Sequence, residues 1–190
     1  MTKSARKEAS FTDRMGLFLS NYKKLHQAAV THCDEAVGRT AVDIIAGSKM
    51  LSEWDKGHYF GDTAIFAPHL SVAENAWERI EGAAMPESDK VEKARLIASF
   101  SAHEPVAIDA LDYIEKSSLD DKEKLKSANY VGAHTDHLSV AKRTLNFIVR
   151  SNIRNEEKIS YVRELASRSK HSSIKKKAKE WLEDYRIIKA

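Results

Sequence analysis

The chain has 190 residues, 42% hydrophobic and 31% charged, with a formal net charge of +3. That apolar content supports one core or an elongated array of small units and argues against wholesale disorder, and no run approaches the eighteen or so apolar residues of a membrane-spanning helix. Three prolines and seven glycines are few, strand-type alternation is scarce, and long amphipathic helices are what remains.

In chain order, residues 1–9 carry positive charge with no apolar stretch behind it, so a disordered tail rather than a secretory signal is expected. Ser10 and Asp13 flank a helix start, and Met15, Leu17, Phe18, Tyr22, Leu25 and Ala29 fit a helix running to about Thr31. A second helix is predicted near 33–47, with Ala36, Val37, Ala41, Val42, Ile44 and Ile45 as its apolar side. Residues 10–52 thus read as an N-terminal helical cap or degenerate repeat. Cys33 is the sole cysteine, which excludes an intrachain disulfide and a Cys-based zinc site and suits a reducing, cytoplasmic compartment. A buried, inert thiol is expected there, not a dyad with His32.

From His69 onward the chain repeats. The segments starting at His69, His103, His137 and His171 align without a gap at intervals of 34 residues. Three positions beyond each histidine stand Val72, Val106, Val140 and Ile174. Four further on come Ala76, Ala110, Thr144 and Ala178, and then Ile80, Ile114, Ile148 and Leu182. Spacing of i, i+4, i+8 marks one helical face. The preceding half of each unit repeats too: Val91, Ala94, Ile97 and Ala98 match Leu125, Ala128, Val131 and Gly132, then Ile159, Val162, Leu165 and Ala166. Each unit is therefore an A helix, a turn and a B helix. The A helices are predicted near 55–66, 89–101, 121–134 and 155–168, and the B helices near 70–83, 104–117, 138–151 and 172–186. Pro68 should end an A helix and Pro105 should open a B helix. Ser71 with Glu74, and Ser118 with Asp121, have capping-box spacing. Small residues at Ala98, Gly132 and Ala166 should face Ala110, Thr144 and Ala178 where the two helices approach closely.

The pattern Ser-x-His-x-x-Val-Ala-x-x-Ala-Leu-x-x-Ile, from Ser101 to Ile114, resembles HEAT repeats, including the short phycobilisome-lyase-like variety, over about residues 55–186. Gly57 and Gly61, which disfavour helix, and Lys175, where the other units have Ala, depart from the pattern. Tetratricopeptide repeats share the period, but their Trp, Tyr and Pro signature positions are unfilled. The resemblance implies an all-α, right-handed α-solenoid: one domain over 10–190, with repeats at 53–87, 88–121, 122–155 and 156–190. It further implies that B helices line the concave side.

Candidate chemistry is sparse. Equivalent positions of stacked repeats lie about 8–10 Å apart, whereas zinc needs its nitrogens within about 2.0–2.1 Å. The four histidines therefore read as turn residues covering the A–B connection. His134, Asp136 and His137 are the densest group of ligand types, with no second cluster to complete a shell. No phosphate-binding glycine loop or nucleophile elbow is present, and no catalytic, cofactor or metal residue is assigned. Trp77 and Trp181 read as core or cap residues; Trp54 is unexplained.

Charge is unevenly spread. Residues 1–50 hold 8 Lys/Arg against 5 Asp/Glu, residues 51–138 hold 9 against 17, and residues 139–190 hold 14 against 6. In a solenoid, order in sequence is order in space, so an acidic middle adjoins a basic end. The expected function is a non-catalytic scaffold, adaptor or inhibitor that binds a protein partner through the charged B-helix face. The contact residues would be Asn75, Glu78, Asp109, Asp112, Lys142, Arg143, Asn146, Lys175 and Lys176. The alternative is nucleic-acid binding or DNA repair at the basic end, as in HEAT-like alkyl-purine DNA glycosylases, although the acidic middle would repel the same polyanion. A lyase or chaperone for a cofactor-bearing protein is a third expectation.

Overall fold

The computed structural model describes the backbone of residues 11–189 and the side chains of residues 20–185; the predicted 1–9 tail lies outside them. All regular structure there is helical. The ten helices are α1 (Phe11–Thr31), α2 (Glu35–Gly47), α3 (Glu53–Phe66), α4 (Leu70–Glu81), α5 (Glu87–Phe100), α6 (Glu104–Lys116), α7 (Asp121–His134), α8 (Leu138–Arg150), α9 (Asn155–Arg168) and α10 (Ser172–Lys189). Consecutive helices pair as five hairpins. Odd-numbered helices contact one another in series, as do even-numbered ones. The result is a two-layer, repeat-like array with an A layer and a B layer.

The recurring apolar positions form the interior between the layers. Val72, Val106, Val140 and Ile174, then Ala76, Ala110, Thr144 and Ala178, then Ile80, Ile114 and Ile148 are all buried. Burying a Val or Ile side chain is worth about 1.5–3 kcal/mol, so this shared interior holds the two layers together. Gly132 and Thr144 meet as the pattern requires, since a Cβ at 132 would lie 2.7 Å from Thr144 Cγ2. Gly57 and Gly61 lie inside α3. Their low helix propensity is overridden by tertiary contact: the end of the Met85 side chain occupies the space beside Gly57, where a Cβ would meet its Sδ at 2.7 Å.

Helix starts follow local chemistry, with two corrections. Pro105 occupies the first turn of α6, where its missing N–H does no harm. Neither expected capping box forms. His69 precedes α4, and Ser71, already inside the helix, donates to the Glu35 carboxylate of α2. Asp120, not Ser118, caps α7 by accepting from Glu123 N at 2.9 Å. The capping box that does form is Ser52 with Asp55 at α3.

One turn design repeats. The A helices α3, α5, α7 and α9 end on Ala67, Ser101, Thr135 and Ser169. A histidine then precedes the next B helix and reaches back 36 residues into the previous unit. His69, His103, His137 and His171 donate through Nε2 to the carbonyls of Cys33, Ala67, Ser101 and Thr135 at 3.0, 2.9, 2.9 and 3.2 Å. A carbonyl only accepts, so each ring carries its proton on Nε2. The buried hydroxyls of Ser101, Thr135 and Ser169 in turn accept from the backbone N of His103, His137 and His171.

Candidate protein-binding face

The histidine ladder is structural, as its turn positions imply. The His134, Asp136 and His137 group is pulled three ways. His134 stacks on Tyr130 with ring centroids 4.1 Å apart, Asp136 pairs with Lys170 at 2.8 Å, and His137 holds the Ser101 carbonyl. The Lys170 hydrogen bond keeps the Asp136 carboxyl below its ordinary range. Among the described residues no three His, Cys, Asp or Glu side chains converge as a metal site. Cys33 corrects the expectation of a buried thiol: it is exposed in the turn between α1 and α2. Trp77 is core, 3% exposed, with Tyr113 edge-on at 5.6 Å. Trp54 is 60% exposed, stacked on His58, with the Lys93 ammonium 5.9 Å from its ring centre.

The residues assigned to binding fall on four successive B helices. Asn75 and Glu78 lie on α4, Asp109 and Asp112 on α6, Lys142, Arg143 and Asn146 on α8, and Lys175 and Lys176 on α10. Glu78, Asp109, Lys142, Asn146 and Lys176 are exposed, while Asn75, Asp112, Arg143 and Lys175 are half-buried. For Arg143 and Asp112 the half-burial has a cause in their pairing. Arg143 reaches from α8 to α6, bonding Glu115 through Nε at 3.1 Å and Nη2 at 2.6 Å and pairing with Asp112 through Nη1. The Glu115 bond raises the Arg143 pKa above its ordinary value. Arg143 is thus an internal clamp at the seam between the acidic and basic halves.

On the acidic side a groove of about 520 Å³ opens between α4 and α6, with Trp77 and Tyr113 among its walls, Glu74, Glu78, Glu81 and Asp109 around it, and the Lys116–Asp112 pair on its edge. Glu81 was not among the expected contact residues. Burial, then Asp109 and Glu78, raise its pKa, against the opposing pull of Lys90 and Lys116. Tyr113 donates to Glu87 at 2.8 Å, and burial with that bond pushes its hydroxyl well above its usual range. On the basic side, Lys175, Lys176 and Lys179 border a groove of about 540 Å³ along α10. Such a surface can bind by charge and hydrogen bonding. Among the described residues no helix is long and apolar enough to cross a membrane. Comparison with protein families, curated proteins and solved structures yields no match.

Proposed function

We propose that the chain is a HEAT-repeat-like, right-handed α-solenoid that works without covalent chemistry, as a scaffold, adaptor or inhibitor of a protein partner held by its charged B-helix face. The observation that carries this reading is the change of sign along one layer. Exposed Glu78 and Asp109 on α4 and α6 give way to exposed Lys142 and Lys176 on α8 and α10. A partner of opposite polarity would be steered to this surface and fixed in register.

The test is capture from the native cell, comparing wild type with a variant in which Lys142, Lys175 and Lys176 become Glu. Arg143 stays unchanged, because reversing it would break the α6–α8 clamp. Loss of the captured protein supports the reading, and undiminished recovery refutes it. The nucleic-acid alternative draws on the exposed lysines of α10 and is separated by a gel shift. Binding that falls steeply with salt favours it, and no shift at low salt removes it.

A further inference from the structure

The Arg143 clamp exposes a gap one repeat earlier. Arg143, Asp112 and Glu115 occupy the same repeat positions as Asp109, Glu78 and Glu81, each pair being 34 residues apart. In the α6–α8 gap these positions hold a guanidinium between two carboxylates. In the α4–α6 gap the guanidinium donor is replaced by a third carboxylate, and none of Glu78, Glu81 and Asp109 has an ion-pair partner among the described residues. The two nearby ammonium groups offset this charge only in part: Lys116, on the wall of the same groove, pairs with Asp112 at 3.1 Å, and Lys90 donates to the Glu81 backbone carbonyl at 2.7 Å. A second observation points to an occupant. Trp77 lines the same groove, is 3% exposed, and its indole N–H has no acceptor among the described residues. A buried donor without an acceptor is unfavourable, and the carbonyl of a bound main chain would supply one.

We propose that the α4–α6 groove seats an arginine side chain of the protein partner, its guanidinium held by Glu78, Glu81 and Asp109 as Arg143 is held by Asp112 and Glu115. This deepens the protein-binding reading above and rests on it. Arginine fits better than lysine because its planar fork bonds two carboxylates at once, which is how Arg143 engages the neighbouring gap. Burial is the first cause of the raised Glu81 pKa, and Asp109 and Glu78 add to it against the pull of Lys90 and Lys116.

The experiment uses the full chain and a fluorescein-labelled heptapeptide, Gly-Ser-Arg-Gly-Arg-Ser-Gly, followed by fluorescence anisotropy at low salt. The comparison peptides carry lysine or citrulline in place of arginine. Wild type is expected to bind the arginine peptide at least about tenfold more tightly than the citrulline one, and more tightly than the lysine one. Asp109→Arg rebuilds the internal clamp, so it should weaken arginine-peptide binding about tenfold or more while leaving the helical circular dichroism intact and the thermal midpoint equal or higher. Glu92→Arg, on α5, changes net charge equally but away from the groove and should bind as wild type does. Equal binding of the three peptides, equal binding by Asp109→Arg, or equal losses in Asp109→Arg and Glu92→Arg would each overturn the assignment. If the peptide ignores the groove while reversal of Lys142, Lys175 and Lys176 still abolishes capture, the arginine seat falls and the binding face stands. If capture survives those reversals, the face itself falls.

Discussion

Gly132 on α7 lies against Thr144 on α8 so closely that a Cβ at 132 would sit 2.7 Å from Thr144 Cγ2 and 3.0 Å from Leu165 Cδ2. The equivalent pair one unit earlier is Ala98 and Ala110, both fully buried. The two positions trade volume, a glycine opposite a threonine here and two alanines there. Thr144 cannot swing away freely, because it is β-branched and its hydroxyl donates to the Val140 carbonyl at 3.0 Å.

Gly132→Ala should therefore destabilise the chain. Alanine gains about 1 kcal/mol of helix propensity, but overpacking at this distance costs about 1–3 kcal/mol, so a net loss of about 1 kcal/mol is expected. Adding Thr144→Ala recreates the Ala98/Ala110 pair and should restore stability to about 0.5 kcal/mol of wild type or better, a coupling of order 1 kcal/mol between touching residues. Urea denaturation of the two single variants and the double variant measures it. Additive effects would show that the two side chains do not compete for space.

The histidine turn makes a separate prediction. His103→Ala removes the donor to the Ala67 carbonyl, and His137→Ala the donor to Ser101; each should cost about 0.5–1.5 kcal/mol. Ser101→Ala should cost more, about 1–3 kcal/mol, because its buried hydroxyl both donates to the Ala64 carbonyl at 2.9 Å and accepts from His103 N at 3.2 Å. Ser101→Thr should be tolerated, since Thr135, buried at the equivalent position one unit later, likewise accepts from the backbone N of the histidine that follows. Denaturation midpoints that leave Ser101→Ala no less stable than His103→Ala would refute this ordering.

His26 gives the fold a pH dependence. Burial lowers its pKa below the ordinary 6.5, with His58 acting in the same direction and Asp62, 3.7 Å away, opposing. Between its folded and unfolded values the unfolded chain binds more protons, so stability rises with pH there. The contribution is present in full above about pH 6.5 and is lost as pH falls below it toward the folded value. Denaturation at pH 7.5 and pH 5.5 should show lower stability at the acid value, and His26→Gln should narrow the difference. An unchanged difference would place the acid sensitivity elsewhere.

Much of the architecture was legible in sequence because the same apolar positions must recur wherever one hairpin stacks on the next: Val72, Val106 and Val140 announce the B helices at a fixed interval. The turn histidines were legible as turn residues, although their carbonyl partners were not. A bond across 36 residues depends on how the units stack, and the residues it reaches, Cys33, Ala67, Ser101 and Thr135, share no side-chain chemistry. Local motifs misled where tertiary contacts compete. Ser71 has capping-box spacing with Glu74 yet is drawn to Glu35 on the neighbouring helix, and Gly57 stays helical beside Met85. Arg143 carries the plainest lesson for the candidate face. Its charge suggested a free contact, but Asp112 and Glu115, at 31 and 28 residues' distance, absorb it. Applying the repeat interval to that trio is also the signal by which Glu81 could have been found.

The central claim is that the B-helix face receives the partner, and amine-reactive cross-linking of the captured complex tests it most directly. Lys142, Lys175 and Lys176 lie on B helices, and Lys93, Lys122 and Lys126 lie on A helices. Intermolecular cross-links concentrated on the first group, with the second group reacting only as monolinks, are the predicted result. Cross-links gathered on Lys93, Lys122 and Lys126 instead would contradict it.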